Sequence, residues 1–418
     1  MRASDLDVEP VSDALTGLTL DLIVCGSIGA VESVRFVRAL RRLGATVTPW
    51  LTRGAKQFVT PTALGWAAAA PVRDGFAGDA SHIATADACI IAPASAAMIA
   101  KIAGGMTDSP ASALIASALG AGKPVLLVPN MHDSLADSPG VRENLAKIGQ
   151  WLNLLEPRLE EGKRKFPDPA VLADECAHVI NRKRRNSAAR AALVTLGSTR
   201  GYVDDVRYFS NYSSGALGSL TAEELYRQGI LTRVVAGSAR VLPRVASQIV
   251  RITTNAELEA AGQAALAADA EAAVLAASVL DFVPAQRTSG KISSSVKDFR
   301  VDMIATPKII AGINPRSGIK VGFKLESDLT TTSAQSWASK YIPGYGLSMM
   351  VLNALADVDE TRHRAMIYSP DKPGQFAPSM KPDAIEGKSK VARFIAAHVI
   401  RGLTSQAATP KSSQSVPR

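Results

Sequence analysis

Short apolar runs alternate with helical patterns along this chain, and this alternation limits the folds that it can adopt. In the first half, the segment 31–44 has apolar residues at helical spacing and ends at Gly44. The apolar runs have the length of buried strands and lie at 20–27, 46–52, 88–95 and 124–130. Strands separated by helices form a parallel sheet with helices on both faces. We therefore predict an α/β fold with a doubly wound, Rossmann-like sheet.

The same alternation restarts near residue 190, after a helical pattern at 170–181 and a basic run at 181–190. Further strand-length runs lie at 192–198, 232–237, 248–253, 272–278, 319–324, 349–354 and 365–369. A capped helix is predicted at 255–270. We expect two tandem Rossmann-like domains, 19–185 and 186–403, with disordered ends at 1–18 and 404–418.

Composition excludes several classes of protein. Hydrophobic residues make up 47% and charged residues 20% of the 418 positions, as in globular proteins. No apolar run reaches the roughly 18 residues that span a bilayer, and the acidic N-terminus lacks the order of a signal peptide, so we expect a cytoplasmic protein that does not enter a membrane. Cys25, Cys89 and Cys176 form no CxxC pair, which indicates neither disulfides nor a zinc site. With 5% aromatic residues, the net charge of +9 favours phosphorylated small substrates over nucleic acid.

A loop of small and polar residues follows the first strand of the second half. The segment 196–218 reads LGSTRGYVDDVRYFSNYSSGALG. Its glycines permit tight turns that expose backbone N–H groups, and Arg200 and Arg207 add positive charge, so the loop suits a phosphate group. The alternative is an ordinary turn between a strand and a helix.

This loop resembles the signature of phosphopantothenate–cysteine ligases, T-x-G-x-T-x-x-x-x-D-x-V-R-x-x-x-N-x-S-S-G. AASVLDFVP at 276–284, Lys291 in GKISSS, and GFKLESD at 322–328 resemble further stretches of that family, in the family's order. The resemblance implies that CTP or ATP, with Mg²⁺, converts 4'-phosphopantothenate into an acyl-nucleotide that the amine of cysteine attacks. Which residues hold the metal is left open. The KISSS stretch lacks the doubly basic K-I-K-K of many bacterial members, so the choice between CTP and ATP is open too.

The resemblance also assigns roles to individual residues of the second half. Lys291 would stabilise the charge that develops at the α-phosphate, and Asn211 would contact the acyl intermediate. Nucleotide and phosphate contacts would come from Gly197, Ser213, Ser214, Gly215, Asp281, Phe282, Phe323 and Lys324, with Asp281 directed to the ribose or base. Taken singly, Asn211, Ser213 and Asp281 have a simpler interpretation as helix caps, and Lys291 as an exposed loop residue.

Polar residues follow all four strands of the first half, where ligands of doubly wound sheets bind: Ser27, Thr52, Ser95 and Asn130. The turn GSIGAVES at 26–33 lies at the mouth of a helix and suits a phosphate, but it lacks the G-x-G-x-x-G spacing of a standard dinucleotide site. The region 20–169 resembles the flavin-dependent cysteine decarboxylases, which bind FMN. The resemblance makes His82 catalytic, although a histidine before a strand is otherwise often a surface or capping residue. It places FMN against Gly26, Ser27, Ile28, Thr52, Ser95, Asp108 and Ser109.

Two positions depart from the decarboxylase pattern. His132 takes the last place of the family's P-x-M-N motif, where it can still donate a hydrogen bond to the substrate carboxylate. The segment 156–169, EPRLEEGKRKFPDP, has no cysteine where many members carry one in a flap. Lys163 and Lys165 could close over an anionic substrate, or the segment could be a solvated linker.

The two halves together resemble the bifunctional enzymes of coenzyme A biosynthesis. Such an enzyme joins 4'-phosphopantothenate to cysteine and decarboxylates the resulting phosphopantothenoylcysteine to 4'-phosphopantetheine. The resemblance also implies a homo-oligomer. Two alternatives stay open at this point: a ligase whose FMN-binding half is catalytically impaired, and a non-catalytic flavoprotein that regulates a partner.

Overall fold

The computed structural model describes residues 5–185, 190–358 and 362–405. The chain divides into two compact units, Met1–Ser187 with Arg227–Gly229, and Ala188–Tyr226 with Ile230–Arg418. Each unit is built on a largely parallel sheet with helices, so the predicted α/β fold class is confirmed. Within the described residues, every helix falls short of the length and apolar character needed to cross a bilayer.

The first unit contains seven described strands: β1 (Thr19–Val24), β2 (Thr46–Leu51), β3 (Ala88–Ala94), β4 (Val125–Pro129), β5 (Asn153–Leu154), β6 (Arg158–Glu160) and β7 (Lys163–Lys165). Its α-helices are α1 (Ser33–Arg42), α2 (Pro61–Ala68), α3 (Ala96–Gly104), α4 (Pro110–Gly120), α5 (Asp133–Ala136), α6 (Pro139–Ile148) and α7 (Pro169–Arg184). Short 3₁₀ turns lie at Ile28–Glu32 and Ala55–Gln57.

The main sheet of the first unit has the strand order β2-β1-β3-β4-β5, and its strand pairs are parallel. All residues of β3 are buried, which explains why this strand appears in the sequence as an uninterrupted apolar run. The strand order reverses between β1 and β3. In doubly wound sheets this reversal opens a crevice at the carboxyl ends of the two strands, where ligands bind.

Residues 11–18 are ordered, so the prediction of a disordered N-terminus is wrong for this segment. The N–H groups of Val11 and Ser12 donate to the carbonyl oxygen of Arg42, at 2.8 and 3.2 Å. Leu15 and Leu18 are buried in the core that α1 contributes to. The last carbonyl groups of a helix lack partners within the helix, and this segment supplies them for α1.

The second unit contains twelve described strands: β8 (Ala191–Leu196), β9 (Arg200–Tyr202), β10 (Tyr208–Ser210), β11 (Leu231–Ala236), β12 (Gln248–Arg251), β13 (Ala270–Leu275), β14 (Phe282–Pro284), β15 (Met303–Ala305), β16 (Lys320–Glu326), β17 (Met349–Ala354), β18 (Arg364–Tyr368) and β19 (Asp383–Glu386). Its helices are α8 (Ala216–Arg227), α9 (Asn255–Ala268), α10 (Ile309–Gly312), α11 (Thr331–Tyr345) and α12 (Lys388–Ser405), with a 3₁₀ turn at Leu355–Asp357. Helix α12 takes in the first two residues of the predicted tail, and 406–418 lie outside the described residues.

The main sheet of the second unit has the order β12-β11-β8-β13-β16-β17-β18-β19. The first six strands are parallel, and β18 and β19 add an antiparallel edge. Here the strand order reverses between β8 and β13. Two small hairpins, β9–β10 and β14–β15, lie outside this sheet and follow the carboxyl ends of the same two strands.

Candidate active sites

A cavity of about 620 Å³ opens at the carboxyl ends of β1, β3 and β4. It lies at the reversal of strand order, where the topology predicts a ligand. Four of the predicted flavin-site residues line it: Gly26, Ser27, Ile28 and Ser95. Asn130 and His132, which follow β4, line it as well. The structure therefore brings the turn after the first strand and the PNMH motif to one site.

The side chain of Asn130 holds the turn after β1 in place. The Ser27 hydroxyl donates a hydrogen bond to Asn130 Oδ1 at 2.9 Å, and the N–H of Gly29 donates to the same oxygen at 3.0 Å. A Cβ atom on Gly29 would lie 2.5 Å from this oxygen and 3.1 Å from the Phe166 ring. Only glycine fits at position 29 without displacing Asn130 or the ring.

His132 is the N-cap of α5, and its ring nitrogen Nδ1 accepts the N–H of Ser134 at 3.2 Å. A neutral imidazole whose Nδ1 accepts a backbone proton carries its own proton on Nε2. The prediction that His132 can act as a hydrogen-bond donor therefore corresponds to a definite atom, Nε2, on a ring that the helix cap holds in position.

The cysteine-free segment forms a β-hairpin, β6–β7, whose turn residues Glu161 and Gly162 have positive φ angles of 52° and 70°. One wall of the cavity is made by cationic side chains from this hairpin: Arg158, Lys163, Arg164 and Lys165. The Arg164 guanidinium forms an ion pair with the carboxylate of Asp137, the residue that follows α5, at 2.9 Å, and this contact connects the hairpin to the end of α5. The segment is therefore a β-hairpin beside the cavity, and its side chains are largely exposed to solvent.

Four predicted residues do not line this cavity: Thr52, His82, Asp108 and Ser109. The Thr52 hydroxyl donates to the carbonyl of Val24, and the His82 ring packs edge-on against Phe76 with 5.7 Å between ring centres. Asp108 pairs with Lys101, and Ser109 caps α4. Ser95 lines the cavity and also caps α3.

The three cysteines are buried, and none lines the cavity. Burial raises the pKa of the Cys25 thiol to about 12 and raises the pKa values of the Cys89 and Cys176 thiols as well. No cysteine of this chain thus replaces the missing cysteine of the flap.

In the second unit, the loops after β8, β11 and β13 meet at the reversal of strand order. Ser198 forms bridges with Ser238 and with Ser278. Gly197 has a φ angle of +76°, and a Cβ atom there would lie 2.7 Å from the carbonyl oxygen of Ser238. The predicted phosphate loop is therefore packed tightly against its neighbours, and Gly197 is required by both its conformation and this contact.

Asn211 joins the phosphate loop to the motif at 276–284. Its Nδ2 donates to the carbonyl of Val279 at 3.1 Å, and the N–H of Leu280 donates to Thr199 Oγ1 at 3.1 Å. The structure thus brings together two motifs that are far apart in the sequence. Ser214, which is predicted to contact phosphate and is not among the residues considered as caps, has a hydroxyl that accepts the N–H of Ala216 at the start of α8, at 3.4 Å. Ser213 and Gly215 precede the same helix, and Gly215 has a φ angle of +78°.

The remaining predicted nucleotide contacts lie on β14 and β16 and at Asp281, the residue before β14. The Asp281 carboxylate accepts a hydrogen bond from Lys308 at 2.6 Å, and Phe282 leaves 57% of its surface exposed. Lys324, beside Phe323 on β16, pairs with Glu326 at 2.9 Å and lies 4.8 Å from the centre of the Trp337 ring.

Lys291 lies on the exposed loop between β14 and β15. The residues on either side of it, Gly290 and Ile292, are hydrogen-bonded to Asp205 and Asp204. Sequence reasoning counted Asp205 in the family signature but assigned a role to neither aspartate, and it missed Lys308. The signal for the aspartates was the acidic pair at 204–205 inside the predicted phosphate loop.

The described residues contain no cluster of three or more His, Cys, Asp or Glu side chains that could hold a metal ion. Mg²⁺ in nucleotide sites is commonly bound by substrate phosphates together with only one or two carboxylates.

The two doubly wound sheets, each with sequence motifs gathered where its strand order reverses, define a two-domain α/β protein of the Rossmann-like class. Residues 9–181 match the model of the Flavoprotein family, and residues 187–402 match that of the DNA/pantothenate metabolism flavoprotein C-terminal domain. The coenzyme A biosynthesis bifunctional protein CoaBC of Thermococcus kodakarensis is 32% identical over 371 residues, which cover 86% of this chain and 91% of that protein. The chain belongs to the family of coenzyme A biosynthesis bifunctional proteins.

A second relative and a solved structure extend the comparison. CoaBC of Methanocaldococcus jannaschii is 27% identical over 342 residues, covering 80% of this chain and 82% of its own. The crystal structure of the DNA/pantothenate metabolism flavoprotein from Streptococcus pneumoniae is 21% identical, with a TM-score of 0.44, and covers 52% of this chain and 100% of its own.

Proposed function

We infer that this chain catalyses two steps of coenzyme A biosynthesis. It ligates 4'-phosphopantothenate with cysteine in a nucleotide-dependent reaction, and it decarboxylates the product, phosphopantothenoylcysteine, to 4'-phosphopantetheine with FMN. The observation that carries this inference is that the first unit has a cavity where its strand order reverses, and that in the second unit the motifs at 196–218 and 276–284 contact each other where the strand order of that sheet reverses. The cationic hairpin and the His132 donor favour an active first half over an impaired or purely regulatory one.

The residues of the first cavity fit FMN. The volume lies within the usual range for small-molecule sites, roughly 300 to 1,000 Å³, and the strand order 2-1-3-4-5 places the crevice where flavodoxin-like sheets hold FMN. Gly26, Ser27, Ile28 and Gly29 would hold its phosphate in the turn after β1. When bound, FMN would supply the oxidation of the thiol-bearing carbon and its later reduction.

The chain's own groups would orient the substrate in this cavity. His132 Nε2–H would donate to the carboxylate that leaves as carbon dioxide, and Lys163 and Lys165 would attract the phosphate of the substrate. The hairpin would exclude water from the reacting carbon. Thr52, His82, Asp108 and Ser109 lie outside the cavity of their own chain, and we propose that a homo-oligomer brings them to the cavity of a neighbouring copy.

Replacing Gly29 with alanine should remove FMN from the purified protein. The new Cβ atom would lie 2.5 Å from Asn130 Oδ1, so Asn130 and the turn that it holds would have to separate. The measurement is visible flavin absorbance per chain. Gly120→Ala is the matched control, because a Cβ atom at Gly120 meets nothing within 4 Å. Equal flavin content in the two variants would contradict the assignment.

In the ligase half, we propose that an oxygen of the phosphopantothenate carboxylate attacks the α-phosphorus of the nucleotide. The bond from this phosphorus to the bridging oxygen of the β-phosphate breaks, and pyrophosphate leaves. Lys291 would stabilise the charge at the α-phosphate, while Gly197, Ser213, Ser214 and Gly215 would bind phosphate oxygens. The cysteine amine then attacks the acyl carbon, loses a proton, and displaces the nucleoside monophosphate.

The contacts to the rest of the nucleotide are proposals as well. Asp281 would bind the ribose or base, and Phe282, Phe323 and Lys324 would line the pocket around it. Asn211 would contact the acyl intermediate through the second hydrogen of its amide, since the first is donated to Val279. Magnesium would enter with the triphosphate.

The test of this function is a coupled assay with CTP and ATP in parallel. We expect pyrophosphate to form with at least one nucleotide, in an amount limited to the enzyme present when cysteine is omitted, because the acyl-nucleotide then remains bound. Continuous turnover should require cysteine, and carbon dioxide should follow it. Failure of both nucleotides to yield pyrophosphate would overturn the ligase assignment.

A further inference from the structure

Lys291 lies on a long loop without secondary structure, and the contacts that fix the backbone of this loop determine where the lysine lies. The loop runs from residue 285 to residue 302, and its ends are joined by a hydrogen bond from the N–H of Ala285 to the carbonyl of Asp302, at 2.8 Å. Long loops without secondary structure have many conformations of similar energy. A catalytic cation on such a loop is effective only if something fixes its backbone.

Asp205 binds the loop immediately before Lys291. Its Oδ2 accepts the N–H of Gly290 at 2.8 Å, and its own N–H donates to the carbonyl of Gly290 at 3.1 Å. Its Oδ1 accepts a hydrogen bond from Arg287 at 2.8 Å. The Gly290 N–H and the Arg287 guanidinium together hold the pKa of Asp205 below its usual value, so the carboxylate is charged at neutral pH.

Asp204 binds the loop immediately after Lys291. Its side chain is fully buried, and its Oδ2 accepts the N–H of Ile292 at 3.1 Å and a hydrogen bond from Arg207 at 2.5 Å. Burial alone would raise the pKa of Asp204, but the N–H groups of Val206, Arg207 and Ile292 and the Arg207 guanidinium lower it to about 2. Arg207 also donates to the carbonyl of Ile292 at 3.2 Å.

Two adjacent carboxylates therefore accept hydrogen bonds from the backbone N–H groups on both sides of Lys291. The ammonium group of Lys291 itself forms no ion pair among the described residues. The same two aspartates lie between Thr199 and Asn211 in the phosphate loop. This geometry links the lysine to that loop through short, charge-assisted hydrogen bonds.

We propose that Asp204 and Asp205 are positioning residues that hold Lys291 against the α-phosphate during formation of the acyl-nucleotide. The proposal rests on the ligase function inferred above. The aspartates do not touch the reacting atoms. They act through Lys291, so their loss matters only while Lys291 is present.

The test is a double-mutant cycle on pyrophosphate release by the full chain. Asp205→Ala should lower kcat by roughly 10- to 100-fold, because a displacement of about 1 Å can cost about 100-fold, and should leave the KM for the nucleotide nearly unchanged. Asp205→Asn keeps an oxygen for the Gly290 N–H and should recover most of the rate. In the Lys291→Gln background, Asp205→Ala should have no further effect.

A second variant and a second readout keep the test independent of folding defects. Arg287→Ala should lower kcat in the same direction, and hydrogen exchange at Gly290 and Ile292 should be faster in Asp205→Ala than in the wild type. Asp269→Ala is the matched control, because Asp269 pairs with Arg233 in the same unit, at 2.6 Å, away from this loop.

The outcomes separate the two inferences. If wild type releases pyrophosphate and Lys291→Gln is impaired, then a normal rate for Asp205→Ala, or an effect that multiplies with Lys291→Gln, overturns the positioning role alone. If the wild type releases no pyrophosphate with either nucleotide, the proposed function is overturned, and the positioning role with it.

Discussion

Lys291→Gln should lower the rate of pyrophosphate release by about 100- to 1,000-fold, the usual cost of removing one group that stabilises charge in a transition state. Glutamine has a similar length and keeps a hydrogen-bond donor, but it lacks the positive charge. Because the ammonium group would act on charge that develops only as pyrophosphate leaves, the KM for the nucleotide should change little. The measurement is steady-state pyrophosphate release with saturating phosphopantothenate and cysteine.

Lys297→Gln is the control for this prediction. Lys297 is exposed on the same loop, away from Gly290 and Ile292, whose N–H groups bind Asp205 and Asp204 on either side of Lys291. Its replacement removes the same charge from the same loop, so it should leave the rate within about 2-fold of wild type, as exposed charges interact weakly through water. Equal losses in both variants would show that the loop contributes only a diffuse positive field.

His82→Asn should lower decarboxylation by about 100- to 10,000-fold, the range expected when a group that transfers a proton is removed. Pyrophosphate release by the second unit and the flavin content of the first should be unchanged, because His82 would act on the substrate and belongs neither to the second unit nor to the turn after β1 that would hold the FMN phosphate. The measurement is carbon dioxide release from phosphopantothenoylcysteine. Ser81→Ala, which alters the adjacent loop residue without removing the imidazole, is the control and should retain activity.

A mixing experiment tests where His82 acts. If His82 serves the cavity of a neighbouring copy, oligomers formed from His82→Asn and Gly29→Ala chains should recover part of the activity that each variant lacks. Such oligomers contain some cavities with an intact turn beside an intact histidine. Absence of recovery, in samples where exchange of chains has been verified, would show that His82 does not act between copies.

The sequence predicts the central strands well, because buried parallel strands appear as uninterrupted apolar runs. The run at 349–354 coincides with β17, and the predicted cap of α9 is a capping box formed by Thr254 and Glu257. Both features depend on local chemistry alone. The reversal of strand order in each sheet, which brings the motifs of each half together, depends on pairing between distant strands and becomes visible only in the structure.

The failures share a cause, which is that polar segments acquire order from tertiary contacts. Residues 11–18 have the composition of a disordered end, but the unpaired carbonyl groups of α1 give them partners. Asp204 lies in a polar turn of the sequence, and the fold buries it beneath Ile292 and Arg207. Hydrophobic periodicity carries no information about such contacts.

The burial of all three thiols bears on the redox environments in which this protein can work. Alkylating agents and peroxide react with exposed thiolates, and a buried thiol with a raised pKa offers neither the exposure nor the charge. Because the hairpin over the first cavity contains no cysteine, it offers no thiol to an oxidant. We expect this chain to lose less activity to thiol-specific reagents than an enzyme with a thiol in its flap.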